Sequence, residues 1–465
     1  MIPPLYRGFL LIAILYLSAC TGADRWFAPP ENLTRTVELT EGQQWWRQFD
    51  DPLMNDLTTQ LWAQNLELQI AQTRIDEARG LLRQQRGGWF PSVDATGSTS
   101  RANDGFGQVK PASILQGGFD ASWELDAFGR MSAGVDAAQA RFVAREATAL
   151  EVQQSVLAEL LSSIVRWRQA QERTEVSKAL SSTQREEVRL LELRHKAGLT
   201  DASALARARA QLLEISAEIP LAQARMRQAQ AQIERLLGLK DGALTERLTA
   251  TSRHTIAIPR PAQIQQISLE SVAERPDMRA ARAELLAAQA DLKAAEAALW
   301  PRISLSGFFG ARDVSVALPL ADNPIWSLAS SITVPLLNFG TLRGAVDTSN
   351  ARAHSAMLQY ENSAQRAVEE TRIALADALG RIEAAQVQQR SLQDRKDAVV
   401  LATERNRSGL KDMTEVTTAQ AELDRASLLS IDHSVEAALA YIRLQKSLAL
   451  GFQKSPKLGN ISVNN

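Results

Sequence analysis

Apolar residues recur along this chain with two different periods, and the switches between them mark its elements. From Leu57 through Leu61, Leu68, Ala71, Ile75, Ala78 and Leu82 they return every three or four positions, the spacing of one buried helix face. Gly87-Gly88 and Pro91 stop that pattern. The period then falls to two. Phe119, Ala121, Trp123 and Leu125 alternate with Asp120, Ser122, Glu124 and Asp126. Further on, Trp326, Leu328, Ser330, Ile332, Val334 and Leu336 share one side, with Ser327, Ser331 and Thr333 opposite. A partner run precedes each, so the pattern predicts strands over 92–101, 117–127, 302–311 and 326–336. In the third, Ile303, Leu305 and Phe309 share a face. Runs of about ten residues fit a tilted transmembrane strand, and alternation equally fits a half-buried strand of a soluble sheet. The intervening loops, 102–117 and 312–325, are rich in Gly, Pro, Asn and Asp and suit exposed tips.

After Phe128-Gly129 and Phe339-Gly340 the helical period resumes without an obvious break until Gly198 and Gly409. Each stretch is about 68 residues, or about 100 Å of helix at 1.5 Å per residue. No soluble globular core needs a helix that long. Gly198 and Gly409 are therefore the tips of two long hairpins, spanning 130–237 and 341–450. The first return helix carries Leu205, Ala208, Leu212, Ile215, Ile219, Ala222, Met226, Ala229, Ile233 and Leu236, a three-four alternation that reads as a coiled-coil seam. Pro220 interrupts it and is expected to bend or loosen the helix locally. The second seam (Val416, Ala419, Leu423, Ala426, Ser430, His433) is smaller and more polar.

These features occur twice, about 211 residues apart. Trp89-Phe90-Pro91-Ser92-Val93 returns as Leu299-Trp300-Pro301-Arg302-Ile303, and Gly198-Leu199-Thr200-Asp201 as Gly409-Leu410-Lys411-Asp412. Each copy reads helix, strand, loop, strand, very long helix, tight break, long helix. The predicted organisation is a signal segment over 1–19, a leash over 20–49 and a first repeat over 50–240. A connector over 241–266, a second repeat over 267–451 and a tail over 452–465 follow.

The N-terminus adds a location. Arg7, the apolar run Phe9 to Tyr16 and small Ser18-Ala19 before Cys20 form a secretory signal, and its core is too short to span a bilayer comfortably. The segment resembles the bacterial lipobox, in which Cys20 is lipidated and becomes residue one. Thr21 rather than Asp follows it, which by the usual sorting rule implies outer-membrane delivery. The net charge of −1 gives no electrostatic reason to expect nucleic acid. The four histidines stand in no metal-ligand spacing, and Cys20 is the only cysteine, so neither a metal centre nor a cysteine nucleophile is expected. Gly105-Phe106-Gly107 lacks the third glycine and following helix of a phosphate cradle. An enzyme is not expected. The seven methionines are scattered, which weighs against thioether recognition of Cu(I).

Four strands cannot close a barrel, because about eight is the smallest closed transmembrane sheet. Open edges in lipid leave backbone groups unpaired, so membrane strands here require several chains to share one barrel. The chain resembles the outer membrane efflux proteins, the TolC-like outer-membrane factors, and especially their lipoprotein branch. The resemblance is carried by Trp45-Trp46 to Pro52, by Arg275-Pro276-Asp277-Met278-Arg279-Ala280-Ala281 with Glu284-Leu285, by Pro301 to Gly307, and by Gly409-Leu410 to Ala419-Gln420. It implies a mainly α fold with membrane β: a homotrimer with a twelve-stranded barrel in the outer membrane and an α-helical barrel across the periplasm. It also implies a periplasmic adaptor and an inner-membrane pump, usually of the proton-driven resistance-nodulation-division (RND) class. No cofactor is implied beyond the N-palmitoyl and S-diacylglycerol groups on Cys20.

In the TolC pattern a tip glycine is followed by a basic residue and then by two acids three apart, which tie neighbouring helices shut. Those positions fall on Gly409, Lys411, Glu415 and Thr418, so half the acidic pair is missing. Lys411 can pair with Glu415 one turn away. An exposed helix start with charges worth about 0.3–0.5 kcal/mol is the plainer account. Asp412 and Asp201 are candidate N-terminal caps of their return helices, and Asp201 is expected to act as one. If the apolar strand face meets lipid, Asp120, Glu124 and Asp126 line the barrel lumen. Two other classes remain beside the efflux conduit: the export channel of an ATP-driven (type I) secretion system, and a non-conducting coiled-coil scaffold lipoprotein of the periplasm.

Overall fold

The computed structural model describes residues 44–102, 112–250, 269–313, 324–411 and 413–448. The expectations for the signal segment 1–19, Cys20, residues 21–43 of the leash, the strand-connecting loops beyond 102 and 313, residues 251–266, Asp412 and the tail 452–465 lie outside those residues. The first half contains α1 (Pro52–Gln64), α2 (Leu66–Gly87), β1 (Ser92–Ala102), β2 (Ala112–Leu125), α3 (Arg130–Lys196) and α4 (Ala202–Leu236). After a short α5 (Thr245–Ala250), the second half contains α6 (Pro276–Ala297), β3 (Arg302–Asp313), β4 (Ile325–Thr333), α7 (Thr341–Arg407) and α8 (Met413–Leu448). The duplication is exact at its centre: α3 and α7 have 67 residues each, and α2 and α6 have 22 each.

The hairpin tips show why the sequence turns where it does. Gly198 and Gly409 both have φ of 70°, a conformation that costs glycine nothing and a side chain more. At each, the next leucine closes the helix end: Leu199 N donates to Arg194 O and Leu410 N to Arg405 O, both at 2.9 Å. Asp201 caps α4, accepting from Ala204 N at 2.8 Å. The seam of α4 forms as spaced, with Leu205, Ala208, Ala222, Ala229, Ile233 and Leu236 buried, and the helix runs through Pro220 without a break.

The far ends of the hairpins are tied by two side chains in equivalent positions. Asn65, the N-cap of α2, donates to Leu236 O at the end of α4, 2.7 Å away. Arg275, the N-cap of α6, donates to Ser447 O at the end of α8, 2.9 Å away. Carbonyls at a helix end have no partner within the helix, so both contacts fill a vacancy that every helix has. Arg275 also forks onto Asp277 (3.0 and 2.7 Å) and reaches Glu370 at 3.0 Å, which explains the Arg-Pro-Asp run in the sequence.

Four expectations need correction. The leash does not extend to 49: Trp45–Phe49 forms a 3-10 turn with Trp46 and Phe49 buried. Trp45 and Phe49 stand edge-on to Tyr441 at 6.0 and 5.9 Å, and aromatic burial overrides the lack of a longer apolar period. β2 starts at Ala112 rather than 117, because Gly117-Gly118 pairs within the ladder instead of turning. β4 ends at Thr333 rather than 336, since Pro335 has no N–H to offer. The connector is not bare chain at its start, where Leu244 and Leu248 are buried.

The strands form one antiparallel sheet in the order β1-β2-β3-β4, leaving β1 and β4 as its edges. Below it, α3 packs against α2, α4, α6 and α8 and is the hub of the helical part. Arg168 on α3 and Asp51 before α1 form a forked pair at 3.0 and 3.1 Å, with side chains only 1% and 5% exposed. Asp51 also accepts from Leu53 N at 2.9 Å, capping α1. Leaving one member of such a pair alone costs about 3–5 kcal/mol. Arg168→Met is therefore expected to lower the thermal midpoint of the detergent-solubilised protein sharply. Adding Asp51→Asn, which keeps the cap and removes the charge, should restore most of the loss. A single variant as stable as the parent would show that the pair does not hold the N-terminal segment.

Candidate functional site

Strand register sorts the sheet into two faces. Directly paired residues share a face, so the pairs Asp94↔Asp120, Ser122↔Ser306 and Ser304↔Ser331 place acids and hydroxyls together. Ser92 and Ser122 hydroxyls meet at 2.8 Å, as do those of Ser304 and Ser331. On the other face Phe119 pairs with Phe309, Phe309 with Trp326, and Ile303 with Ile332. That face is uncovered: Trp326 and Leu328 are each 75% exposed, and Val93, Phe119, Phe309 and Ile332 are exposed with them. A continuous aromatic and aliphatic face of this size suits hydrocarbon and not water.

Among the acids expected on the lumen side, the structure separates three roles. Asp120 lies on the hydroxyl face and accepts from Thr96 Oγ1 at 2.5 Å. Glu124, on the same face, is held by Arg130 at 3.1 and 2.6 Å. Asp126 departs from the expectation. β2 ends at Leu125, and the Asp126 carboxylate caps α3 instead, accepting from Met131 N at 2.9 Å and Ser132 N at 2.8 Å. Partial burial opposes its charge, but the Ser132 hydroxyl, these two amides and Arg130 outweigh it and hold its pKa below the usual value. Alternation alone missed Phe308, which shares the hydroxyl face with Asp120. Its ring crosses Gly118 and Gly310, where an added Cβ would lie 2.7 Å from the ring. The Phe308-Phe309 doublet was the available signal.

At the opposite end, Glu415 sits in the first turn of α8 and faces two cations: Arg405 at 3.3 Å and Lys411 at 3.7 Å. The Lys411 pairing is the one the spacing predicted. Arg405 comes from the last turn of α7 and is brought close only by the tip, so no helical spacing reveals it. Thr418 lies one turn further along α8 and lines a shallow groove with Leu410, Thr414, Glu415 and Glu422. Glu422 is itself paired with Arg395 at 2.8 Å. Gly198 and Gly409 mark the two tips, each followed by a leucine more than 70% exposed.

Between tip and hub the hairpins are joined by Arg173, which reaches Glu218 on α4 at 2.7 Å and Asp432 on α8 at 2.8 Å. Among the described residues, the same stretch contains carboxylates that form no ion pair. Asp424 on α8 is 6% exposed, and burial raises its pKa despite a hydrogen bond from Gln420 at 2.7 Å. Glu187 on α3 is raised by burial and further by the Asp424 charge, against a hydrogen bond from Gln184. Among the described residues no group of three or more His, Cys, Asp or Glu is placed to hold a metal ion. No helix among them is long and apolar enough to cross a membrane.

A carboxylate whose pKa is raised by folding favours the folded state when protonated, and that advantage fades as pH climbs through the raised pKa. Asp424→Asn is therefore expected to raise the thermal midpoint at neutral pH and to flatten its decline from acidic to neutral pH. A lower midpoint at neutral pH would mean that the Asp424 charge is stabilising.

Comparison with known proteins places this geometry. The model of the outer membrane efflux protein family matches residues 57–239 and again 268–450, one match for each half of the duplication. The solvent efflux pump outer membrane protein SrpC of Pseudomonas putida is 27% identical over 416 residues, covering 88% of this chain and 87% of that one. Nodulation protein T of Rhizobium leguminosarum bv. trifolii is 26% identical over 468 residues, covering 96% and 97%. Among solved structures, the outer-membrane channel OprN superposes with a TM-score of 0.80 at 29% identity, covering 90% of this chain and 94% of that one. With both halves matched in full and the two-faced sheet continuous with its paired hairpins, the chain belongs to the outer membrane efflux protein family.

Proposed function

We propose that this protein is the outer-membrane channel of a tripartite efflux system, passively conducting drugs or other small molecules delivered by an inner-membrane pump and a periplasmic adaptor. The observation that carries this reading is the sheet with one hydrocarbon-compatible face, one hydroxyl-lined face and two open edges, continuous with helices of about 100 Å. The sheet stands in the outer membrane and the hairpins extend into the periplasm. Three copies share one barrel, anchored by lipid on Cys20, and the pump is of the RND class. SrpC is named for a solvent efflux pump and nodulation protein T for another process. Such different names on similar chains fit a conduit whose cargo is selected by the pump.

The closed state is held at the tips. Glu415 with Arg405 and Lys411 forms an exposed cluster, repeated in every copy around a narrow axis. Exposed pairs contribute about 0.2–1 kcal/mol each and are screened by salt, so the gate is weak and opens under modest force. In planar bilayers the purified protein is expected to conduct poorly, and Glu415→Ala to conduct more, with the difference shrinking at high salt. An unchanged conductance would remove Glu415 from the gate. A protein that forms no pore, even with both tips cut back, would defeat the conduit reading.

A further inference from the structure

The duplication makes the unpaired half of this molecule readable from its paired half. Contacts between the first and second halves within one chain show how a second-half edge must meet the first half of another copy. We infer that β4 of one copy pairs antiparallel with β1 of the next in a single register fixed by the repeat, with Ser331 opposite Ser98 and Phe339 seated on Phe90 of the neighbouring copy. This rests on the multi-chain barrel proposed above and specifies its joint.

The register follows from two offsets. α2 and β1 map onto α6 and β3 by 210 residues, from Leu66 to Pro276 and from Ser92 to Arg302. Phe128 and α3 map onto Phe339 and α7 by 211 residues, from Arg130 to Thr341, so β2 maps onto β4 by the same step. These offsets pass a check inside the chain. They carry Val93↔Ala121 in the first hairpin onto Ile303↔Ile332 in the second, which is the pairing observed.

Applied to the joint between halves, they turn Asp120↔Phe308 of the β2–β3 ladder into Ser331↔Ser98, and Ser122↔Ser306 into Thr333↔Thr96. Hydroxyls then meet hydroxyls on the polar face, as Ser92 meets Ser122 and Ser304 meets Ser331 within the chain. On the apolar face Ile332 comes opposite Gly97. A slip of one residue would turn every β4 side chain to the wrong face.

Two further observations agree. Phe128 stacks on Trp300 where the halves meet, with ring centroids 5.6 Å apart and planes 12° from parallel. The offsets carry that pair onto Phe339 and Phe90, which are 99% and 70% exposed in the single chain. The long helices repeat the asymmetry. At equal length, α3 has twenty-four buried residues and α7 has seven. The excess on α3 comes from α6 and α8 of the other half, whereas among the described residues α7 packs mainly on α6 and α8 of its own half. Ala147 on α3 is fully buried, while its equivalent on α7, Leu358, is 52% exposed.

The test is oxidative cross-linking of the full chain in isolated outer membranes. Directly opposed strand residues bring Cβ atoms within disulfide reach. The pair Ser98→Cys with Ser331→Cys is expected to give a ladder of covalent oligomers on a non-reducing gel. The shifted pairs Ser98→Cys with Thr333→Cys, and Thr96→Cys with Ser331→Cys, are expected to give little. Each single variant controls for Cys20. Stronger cross-linking by a shifted pair, or none by any pair in an assembly that is multimeric by light scattering, overturns the register and leaves the conduit intact. A chain that is monomeric in the membrane extract overturns both.

Discussion

The unpaired backbone along β1 and β4 is the constraint from which the rest follows. In hydrocarbon each unpaired N–H or C=O costs several kcal/mol, and water is not there to relieve it. A soluble protein blunts a sheet edge with charge, proline or a covering loop. This chain has Pro335 just past the end of β4, but the strand itself presents Trp326, Leu328 and Ile332 on an uncovered face. Such a sheet is stable only when lipid covers that face and other strands take up its edges. The long helices inherit this condition, because α3 and α7 leave the sheet directly after β2 and β4.

The two halves preserve contacts more faithfully than residues. Asn65 and Arg275 are chemically unlike, yet each stands at the N-cap position of one helix and ties down a terminal carbonyl of another. Asp126 has no such replacement. Its repeat equivalent is Leu337, which is 85% exposed, beside Phe339 at the start of α7. In the first half, then, the strand-to-helix junction is completed by the chain's own carboxylate and by Trp300. In the second it is apolar and open. A duplicated unit that meets its own repeat on one side and, on the assembly proposed above, a neighbouring copy on the other has reason to diverge at that junction.

Much of the architecture was legible because it depends on periodicity. Period two marked β2, β3 and β4 and divided their faces correctly, β1 was placed as the partner run before β2, and three-four spacing found the seam of α4. Strand ends were less legible. Gly117-Gly118 resembles a turn locally, but both pair within the ladder, and Gly118 lies opposite Gly310, where a side chain on either would clash with the Phe308 ring and the facing backbone. Val334 and Leu336 continue the alternation in sequence although Pro335 has already ended the hydrogen bonding. Asp126 was placed on the lumen face for the same reason: alternation does not report where a strand stops and a cap begins. Arg405 and the buried Asp424 were invisible because their surroundings come from other helices.

Stability along the hairpins is graded, and the gradient bears on the gate proposed at the tips. At the hub, Arg168 and Asp51 are almost fully buried and cannot separate without stranding a charge. Midway, Arg173 is mostly buried and ties three helices, while its Glu218 and Asp432 partners are about one-third exposed. At the tip, Arg405 and Lys411 are both more than half exposed, and their pairs with Glu415 are long. Ion pairs of these three kinds respond differently to force and salt: the buried one is nearly insensitive, the exposed ones are readily screened. Separating neighbouring helices is therefore cheapest at the tips and progressively harder towards the sheet. On the gate proposed above, a partner that engages only the tips would open the conduit while leaving the buried Arg168–Asp51 pair intact.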